Sequence, residues 1–221
     1  GEYNHEQQIP ERWREQFLPQ NHVDNTIYDS LMSPPSFDEW KEIIHQLPNG
    51  KASGPSQISN EMLKNMGEKL QKVFWTLACA CLKLGDIPDG WKEANIYPIP
   101  KPKNWECDLN NTRPITLLET TRKALVRLLN NRLAKIFVDN NVLRGNQYAG
   151  LPGNSTFEPL RILNTLMEDA HEKKNEIWVL FQDLSKAYDR ININMLKKSL
   201  YRLKLPVLFS DFIENIFTNR T

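Results

Sequence analysis

Residues 177–190 read Ile-Trp-Val-Leu-Phe-Gln-Asp-Leu-Ser-Lys-Ala-Tyr-Asp-Arg. The apolar run at 177–181 has the length and composition of a strand buried on both faces. It leads into an acid, Asp183, with an aromatic, Tyr188, further on. A carboxylate at the exit of a buried strand can hold a metal ion where side-chain and backbone oxygens converge. Taken alone the pattern is unspecific, because a strand-end acid that merely caps a turn looks the same.

The surrounding pattern is helical. Ser155-Thr156-Phe157-Glu158 is a capping box, and Leu160, Leu163, Leu166 and Met167 follow at helical spacing. Downstream, Met195, Leu196, Leu200 and Leu203 predict one helix, and Leu208, Phe212, Ile213, Ile216 and Phe217 another. The long apolar faces of these last helices are expected to need partners beyond Thr221. Upstream, 94–99 and 113–118 read as two strands joined by an Asn/Asp-rich loop, which predicts a β-hairpin. Thr120 or Thr121 then caps a basic amphipathic helix with Leu125, Leu128, Leu129, Leu133, Ile136 and Phe137 inward. Ser36-Phe37-Asp38-Glu39 is a further capping box ahead of Trp40, Ile43, Ile44 and Leu47. Ser59 opens a short helix ending near Gly67. Leu70, Val73, Phe74, Leu77, Ala78, Cys81 and Leu84 form one face of a longer one stopped by Gly85. Residues 1–35, punctuated by Pro10, Pro19, Pro34 and Pro35, are expected to be a loosely ordered lead-in with a short helix near 11–17.

A chain of 221 residues with 40% hydrophobic content can bury a core in one large or two small domains. No apolar run approaches a transmembrane helix, and the polar, acidic start is not a secretory signal. Three cysteines, Cys79, Cys81 and Cys107, argue against a disulfide framework, and Cys79 and Cys81 read as small core-filling residues rather than zinc ligands. His5, His22, His45 and His171 have no metal-like spacing. The net charge of +1 hides an uneven distribution. Residues 1–50 hold three Lys/Arg against nine Asp/Glu, and residues 91–136 hold nine against four. A local basic stretch suits a phosphate-binding surface; for Arg127, Arg132 and Lys135 a solvated helix face is an equal reading.

Five blocks, in order, resemble the reverse transcriptase of non-LTR (LINE-type, jockey-like) retrotransposons. Lys51-Ala52-Ser53-Gly54-Pro55 with Ile58-Ser59-Asn60-Glu61-Met62-Leu63-Lys64 resembles the family's opening motif. Ile87-Pro88, Trp91-Lys92 and Ile96-Tyr97-Pro98-Ile99-Pro100-Lys101 resemble its first fingers motif, and Arg113-Pro114-Ile115-Thr116-Leu117-Leu118, closing on Lys123, its second. Gly145-Asn146-Gln147-Tyr148-Ala149-Gly150 through Ser155-Thr156 resembles a fourth block, and Phe181-Gln182-Asp183 to Tyr188-Asp189 palm motif A. The resemblance implies a helix-rich α+β fold of right-hand polymerase fingers plus a partial palm. It implies an acidic lead-in with a capped helix at 1–50, fingers at 51–175 and palm at 176–221. Group II intron maturases share this fold, but the wording here is closer to the retrotransposon type.

The same resemblance implies the site. Asp183 would be the catalytic carboxylate, binding both Mg2+ ions of a two-metal nucleotidyl transfer, with the Leu184 carbonyl as auxiliary ligand. Tyr188 would be the steric gate that excludes a ribose 2′ hydroxyl; a core tyrosine is the alternative. Lys101 and Arg113 would grip the incoming triphosphate, with Lys103 a weaker candidate. Arg122, Lys123, Arg127, Gln147 and Thr156 would contact nucleic acid. Asp189 is expected to be structural. The implied partners are an RNA template, a DNA primer, deoxynucleoside triphosphates and the remainder of palm and thumb beyond Thr221; no membrane is implied. A nuclear site of action follows only from the resemblance.

The chain departs from the family in three places. Pro55-Ser56-Gln57 stands where the family has Pro-Asp-Gly, so the turn chemistry is altered. Leu151, Pro152, Gly153 and Asn154 occupy a stretch that usually carries a basic residue. No Tyr-x-Asp-Asp word occurs, so the second set of carboxylates is missing and these 221 residues alone are expected to lack polymerase activity. A non-catalytic nucleic-acid-binding remnant, or a decayed element, are the competing readings.

Overall fold

The structure is a computed structural model that describes residues 10–102, 106–185 and 187–218, and of Asp189 the backbone alone. His5, Lys103 and the Asp189 side chain lie outside the described residues. Among the described residues helices dominate, with one two-stranded sheet.

Local signals set most boundaries. After the short α1 (Glu11–Arg14), Ser36 caps α2 (Phe37–His45) by accepting from the Glu39 N–H at 3.1 Å. Ser59 caps α3 (Asn60–Asn65) by accepting from Met62 N–H at 3.2 Å. Helix α4 (Glu68–Leu84) stops at Gly85, whose φ of +70° is the left-handed conformation that glycine adopts without a Cβ penalty. Its buried face is Ala78, Cys81 and Leu82; the expected inward residues Leu70, Val73 and Leu84 are exposed.

Strands β1 (Ala94–Pro100) and β2 (Thr112–Leu118) pair antiparallel, with Ile99 opposite Arg113 and Tyr97 opposite Ile115. The Lys101 N–H donates to the Asn111 carbonyl at 2.8 Å and continues the ladder. Alternation from that bond puts Pro98, Pro100 and Pro114 at non-hydrogen-bonded sites, where the missing N–H would point outward. Three prolines therefore sit in this ribbon without breaking it, and they blunt both of its outer edges.

Helix α5 (Thr120–Asp139) follows directly, with Glu119 rather than a threonine at the N-cap. Thr120 instead donates its hydroxyl to the Ile58 carbonyl at 2.5 Å. Helices α6 (Phe157–Glu172), α7 (Ile193–Arg202) and α8 (Val207–Phe217) complete the chain.

A single buried cluster draws Val23, Tyr28 and Leu31 from the first stretch, Trp40 and Ile44 from α2, Leu82 from α4, Leu125 and Leu128 from α5, and Phe212 and Ile216 from α8. The N-terminal lead-in is therefore not loose over its described part. Tyr28 donates its hydroxyl to Leu203 O at 2.9 Å, and Lys204 donates to Val23 O at 2.7 Å. Arg132 binds Glu39 through two bonds, at 2.8 and 2.7 Å, and donates to three carbonyls, those of Ser30, Leu31 and Ser33. The short apolar residues between the prolines supply the burial that composition alone conceals.

The distribution of apolar surface also differs from expectation. Helix α8 sits in the core, with Phe209, Phe212 and Ile216 buried. Helices α6 and α7 bury none of their residues. The expected strand at 177–181 is irregular, and Trp178, Leu180 and Phe181 are 91%, 90% and 81% exposed. A strand buried on both faces needs elements packed above and below it, and no described element covers 177–181 or pairs with it. Among the described residues, no helix is long and apolar enough to cross a membrane.

Candidate functional site

The β1–β2 ribbon builds the first group. Residues directly opposite in an antiparallel pair share a face, and alternate residues along a strand do too. Arg113 lies opposite Ile99, and Lys101 two residues beyond Ile99, so both cations are on one face at the loop end of the ribbon. Lys101 Nζ is steadied by the Asn110 carbonyl at 2.9 Å. Arg113 is exposed and its guanidinium has no hydrogen-bond or ion-pair partner among the described residues. Neither cation is neutralised by a described carboxylate, which leaves this end of the ribbon free to meet an anion.

The 183–188 segment holds the second group. Asp183 and Leu184 are exposed, and Tyr188 is 91% exposed at the start of the short 3-10 helix Tyr188–Arg190. Tyr188 lies outside the core formed by the described residues. No described hydrogen bond or ion pair joins this segment to the ribbon. One carboxylate and one adjacent carbonyl are hard oxygen donors of the right type for a divalent ion, but too few for a site. Among the described residues no group of three or more His, Cys, Asp or Glu is placed to hold a metal.

The third group, on α5, is largely withdrawn from the surface. Arg122 is 1% exposed and donates to Trp91 O at 2.8 Å and Ile216 O at 3.0 Å. The expectation that it tracks a template backbone does not stand, because its guanidinium is enclosed between the Asp89–Trp91 turn and α8. Lys123 is half-buried and donates to Ala52 O at 3.2 Å. Burial pulls its pKa below the ordinary lysine value, against the opposing charge of Glu119. Arg127 is half-buried, with its Nε shielded from solvent and unpartnered. Lys92 pairs with Asp86 and Asp89, Arg132 with Glu39, and Lys135 with Asp139. Much of the positive charge read from 91–136 is thus neutralised or enclosed.

Gln147 and Thr156 belong to an exposed loop that closes on itself. Gln147 Nε2 donates to Ala149 O at 2.7 Å and its own carbonyl accepts from Asn154 Nδ2 at 3.0 Å. Thr156 occupies the N-cap position of α6 without a capping bond, while Ser155 donates its N–H and hydroxyl to Glu158.

Three residues outside the predicted site organise the base of the ribbon. Glu119, 5% exposed, accepts from the Ser56 N–H at 2.6 Å and from the Ser56 hydroxyl at 2.5 Å. A Cβ on Gly54 would lie 2.6 Å from Glu119 N, Leu118 C and Leu118 O. The Lys-Ala-x-Gly-Pro block is therefore packed onto the β2–α5 junction. The motif's glycine was the available signal; its partner 65 residues later could not be read from spacing.

Residues 99–221 match the family model described as reverse transcriptase (RNA-dependent DNA polymerase). Over 160 residues the chain is 30% identical to the probable RNA-directed DNA polymerase from transposon BS of Drosophila melanogaster, covering 72% of this chain and 18% of that protein. Over 187 residues it is 27% identical to the RNA-directed DNA polymerase from mobile element jockey of the same species, covering 83% and 20%. Over 190 residues it is 22% identical to the retrovirus-related Pol polyprotein from type-1 retrotransposable element R2 of Nasonia vitripennis, covering 86% and 18%. The chain spans no more than 20% of the length of these relatives.

Proposed function

The chain belongs to the reverse transcriptase family, as a domain of the LINE-type, jockey-like mobile-element kind, and from that premise we propose how its residues serve RNA-directed DNA synthesis. Lys101 and Arg113 bind the triphosphate of an incoming deoxynucleotide, Arg113 through a bidentate fork and Lys101 as a point charge. Countering the charge that develops on the transferred phosphoryl group is how such cations assist the reaction. The observation that carries this reading is that both cations share one face of the ribbon and neither is neutralised by a described carboxylate.

Asp183 and the Leu184 carbonyl contribute to a divalent-metal site, with Mg2+ the proposed ion; the family's chemistry uses such ions to activate a primer hydroxyl and bridge phosphates. Two donors are too few to complete that site by themselves. Tyr188 excludes ribonucleotides by repulsion. Lys123, Arg127, Gln147 and Thr156 lie against an RNA template and DNA primer. The ribbon belongs to the fingers, and the unburied surface of α6 with 177–184 is covered by the remainder of the palm.

The test is binding of dATP by this chain across a salt series. Arg113→Ala and Lys101→Ala should each weaken dATP binding about tenfold, as loss of a charge-assisted phosphate contact implies, and reduce its salt dependence. A wild-type chain that binds dATP with no salt dependence, or not at all, contradicts the proposal.

A further inference from the structure

The chemistry of the β1–β2 ribbon is segregated by face. The same alternation that brings Lys101 and Arg113 together puts Tyr97, Ile99 and Ile115 on their side. The opposite face carries Ile96, Pro98, Pro100, Thr112, Pro114 and Thr116, with neither a cation nor an aromatic ring. Tyr97 lies opposite Ile115, and Arg113 is the next residue of β2 on that face, a diagonal neighbour at about 7–8 Å. Tyr97 is 55% exposed, Ile99 51% and Ile115 41%. No described residue accepts from or donates to the Tyr97 hydroxyl. This ring therefore neither fills the core nor anchors a hydrogen bond.

An exposed aromatic beside unpaired cations matches the two parts of a nucleotide. The π-face of a base stacks on the ring, and the phosphate meets the guanidinium. Ile99 and Ile115 flank the ring and widen the apolar floor on which a base would lie. Stacking tolerates every base, so such a contact adds affinity without sequence preference.

We propose that Tyr97 is a stacking platform for a nucleobase, within a nucleotide unit whose phosphate is held by Arg113 and Lys101 on the same face of the ribbon. The proposal rests on the reading of Lys101 and Arg113 as phosphate-binding residues and adds a base contact to it. The base belongs either to an incoming deoxynucleotide or to a single strand.

The experiment uses the 221-residue chain, its Tyr97→Ala and Tyr97→Phe variants, and Arg113→Ala for comparison. Binding of a short fluorescein-labelled single-stranded RNA is followed by anisotropy across a salt series, and binding of dATP by equilibrium dialysis. Tyr97→Ala should weaken binding about tenfold at every salt concentration, leaving the salt slope unchanged. Tyr97→Phe, which keeps the ring, should bind as wild type. Arg113→Ala should lower the slope. Weakening confined to the RNA arm identifies a strand nucleotide as the source, and weakening confined to dATP identifies the incoming nucleotide. The proposal is overturned if Tyr97→Ala binds both ligands as wild type, or if Tyr97→Phe loses as much as Tyr97→Ala. Failure of the phosphate-binding reading shows separately, as a wild-type chain with no salt-dependent binding.

Discussion

Ser56 gives both its backbone N–H and its hydroxyl to the Glu119 carboxylate, one to each oxygen, at 2.6 and 2.5 Å. Glu119 stands between β2 and α5, so this pair fastens the 51–58 loop to the element that carries Arg113. Gly54 completes the contact, because its backbone approaches Leu118 and Glu119 too closely for any Cβ. Gly54→Ala should destabilise the chain by about 3 kcal/mol, since backbone rather than a flexible side chain must move. Glu119→Ala should cost about 2 kcal/mol by leaving the Ser56 N–H without its acceptor. Urea unfolding of Ser56→Ala, Glu119→Ala and the double variant gives the coupling, expected at about 1–2 kcal/mol. Additive effects would show that the loop is held by other contacts.

Gln57, in the same loop, has a φ of +61°. The left-handed backbone, which favours glycine, stands here on a glutamine. An L-residue there costs roughly 1–2 kcal/mol, and glycine recovers part of that after its larger unfolded-state entropy is counted. Gln57→Gly should therefore raise stability by about 0.5 kcal/mol, read as a higher urea midpoint. A lower midpoint would mean that the glutamine side chain contributes more than the backbone strain removes.

Arg122 is the charged residue whose role is most altered by its surroundings. It is enclosed and donates to carbonyls of two separate elements. Arg122→Ala should destabilise by about 3 kcal/mol or more, since it opens a cavity and strands both acceptors. Arg122→Lys should recover only part, because an ammonium cannot span two carbonyls with a planar fork. Under conditions where the variant remains folded, the salt slope for nucleic-acid binding should match wild type. A reduced slope would return Arg122 to the phosphate-binding surface.

Most helices were legible because capping residues and apolar spacing are local. Ser36, Ser59 and Gly85 act in the structure as their neighbours in sequence imply. The ribbon was legible to within one residue at its tip ends, despite its prolines. What could not be read depends on distant partners. The order of residues 20–35 comes from Arg132, Leu203 and Lys204, which lie a hundred or more positions away, as the carbonyls of Leu31, Val23 and the Tyr28 hydroxyl show. The 177–181 segment has strand composition, but composition supplies no neighbouring strand. Of the site residues, the pairing of Lys101 with Arg113 follows from the hairpin, whereas the enclosure of Arg122 required knowing where α8 returns.

Tyr28 offers a test of the N-terminal packing by pH. Burial pushes its phenol up to about 12 from an ordinary value near 10. The folded state therefore holds this proton more tightly than the unfolded chain. The contribution is fully present below about pH 10 and is lost as pH rises towards 12. Burial also pushes the Cys81 thiol up, to about 11, so its contribution starts to fall at lower pH than that of Tyr28. Tyr28→Phe should lose about 1 kcal/mol at neutral pH, through the missing bond to Leu203 O. Its stability should then fall less steeply than wild type between pH 10 and 12. Equal slopes in chemical denaturation at these pH values would mean that Tyr28 ionises as freely in the folded state as in the unfolded one.

Asp183 and Tyr188 make the opposite case to Arg122, because both are exposed and neither has a described hydrogen bond or ion pair. Surface residues without such contacts change stability by less than about 0.5 kcal/mol when replaced. Asp183→Ala and Tyr188→Val should therefore leave the melting temperature of this chain essentially unchanged. In a complete polymerase carrying the same residues, Asp183→Ala should abolish primer extension while primer–template binding is retained, as expected for a carboxylate that acts on the reacting centre alone. Tyr188→Val should instead preserve extension with deoxynucleotides and raise incorporation of ribonucleotides, because removing the ring removes a clash rather than a contact. Loss of binding with Asp183→Ala would make that residue part of the nucleic-acid surface. Unchanged sugar discrimination with Tyr188→Val would remove the gate from position 188.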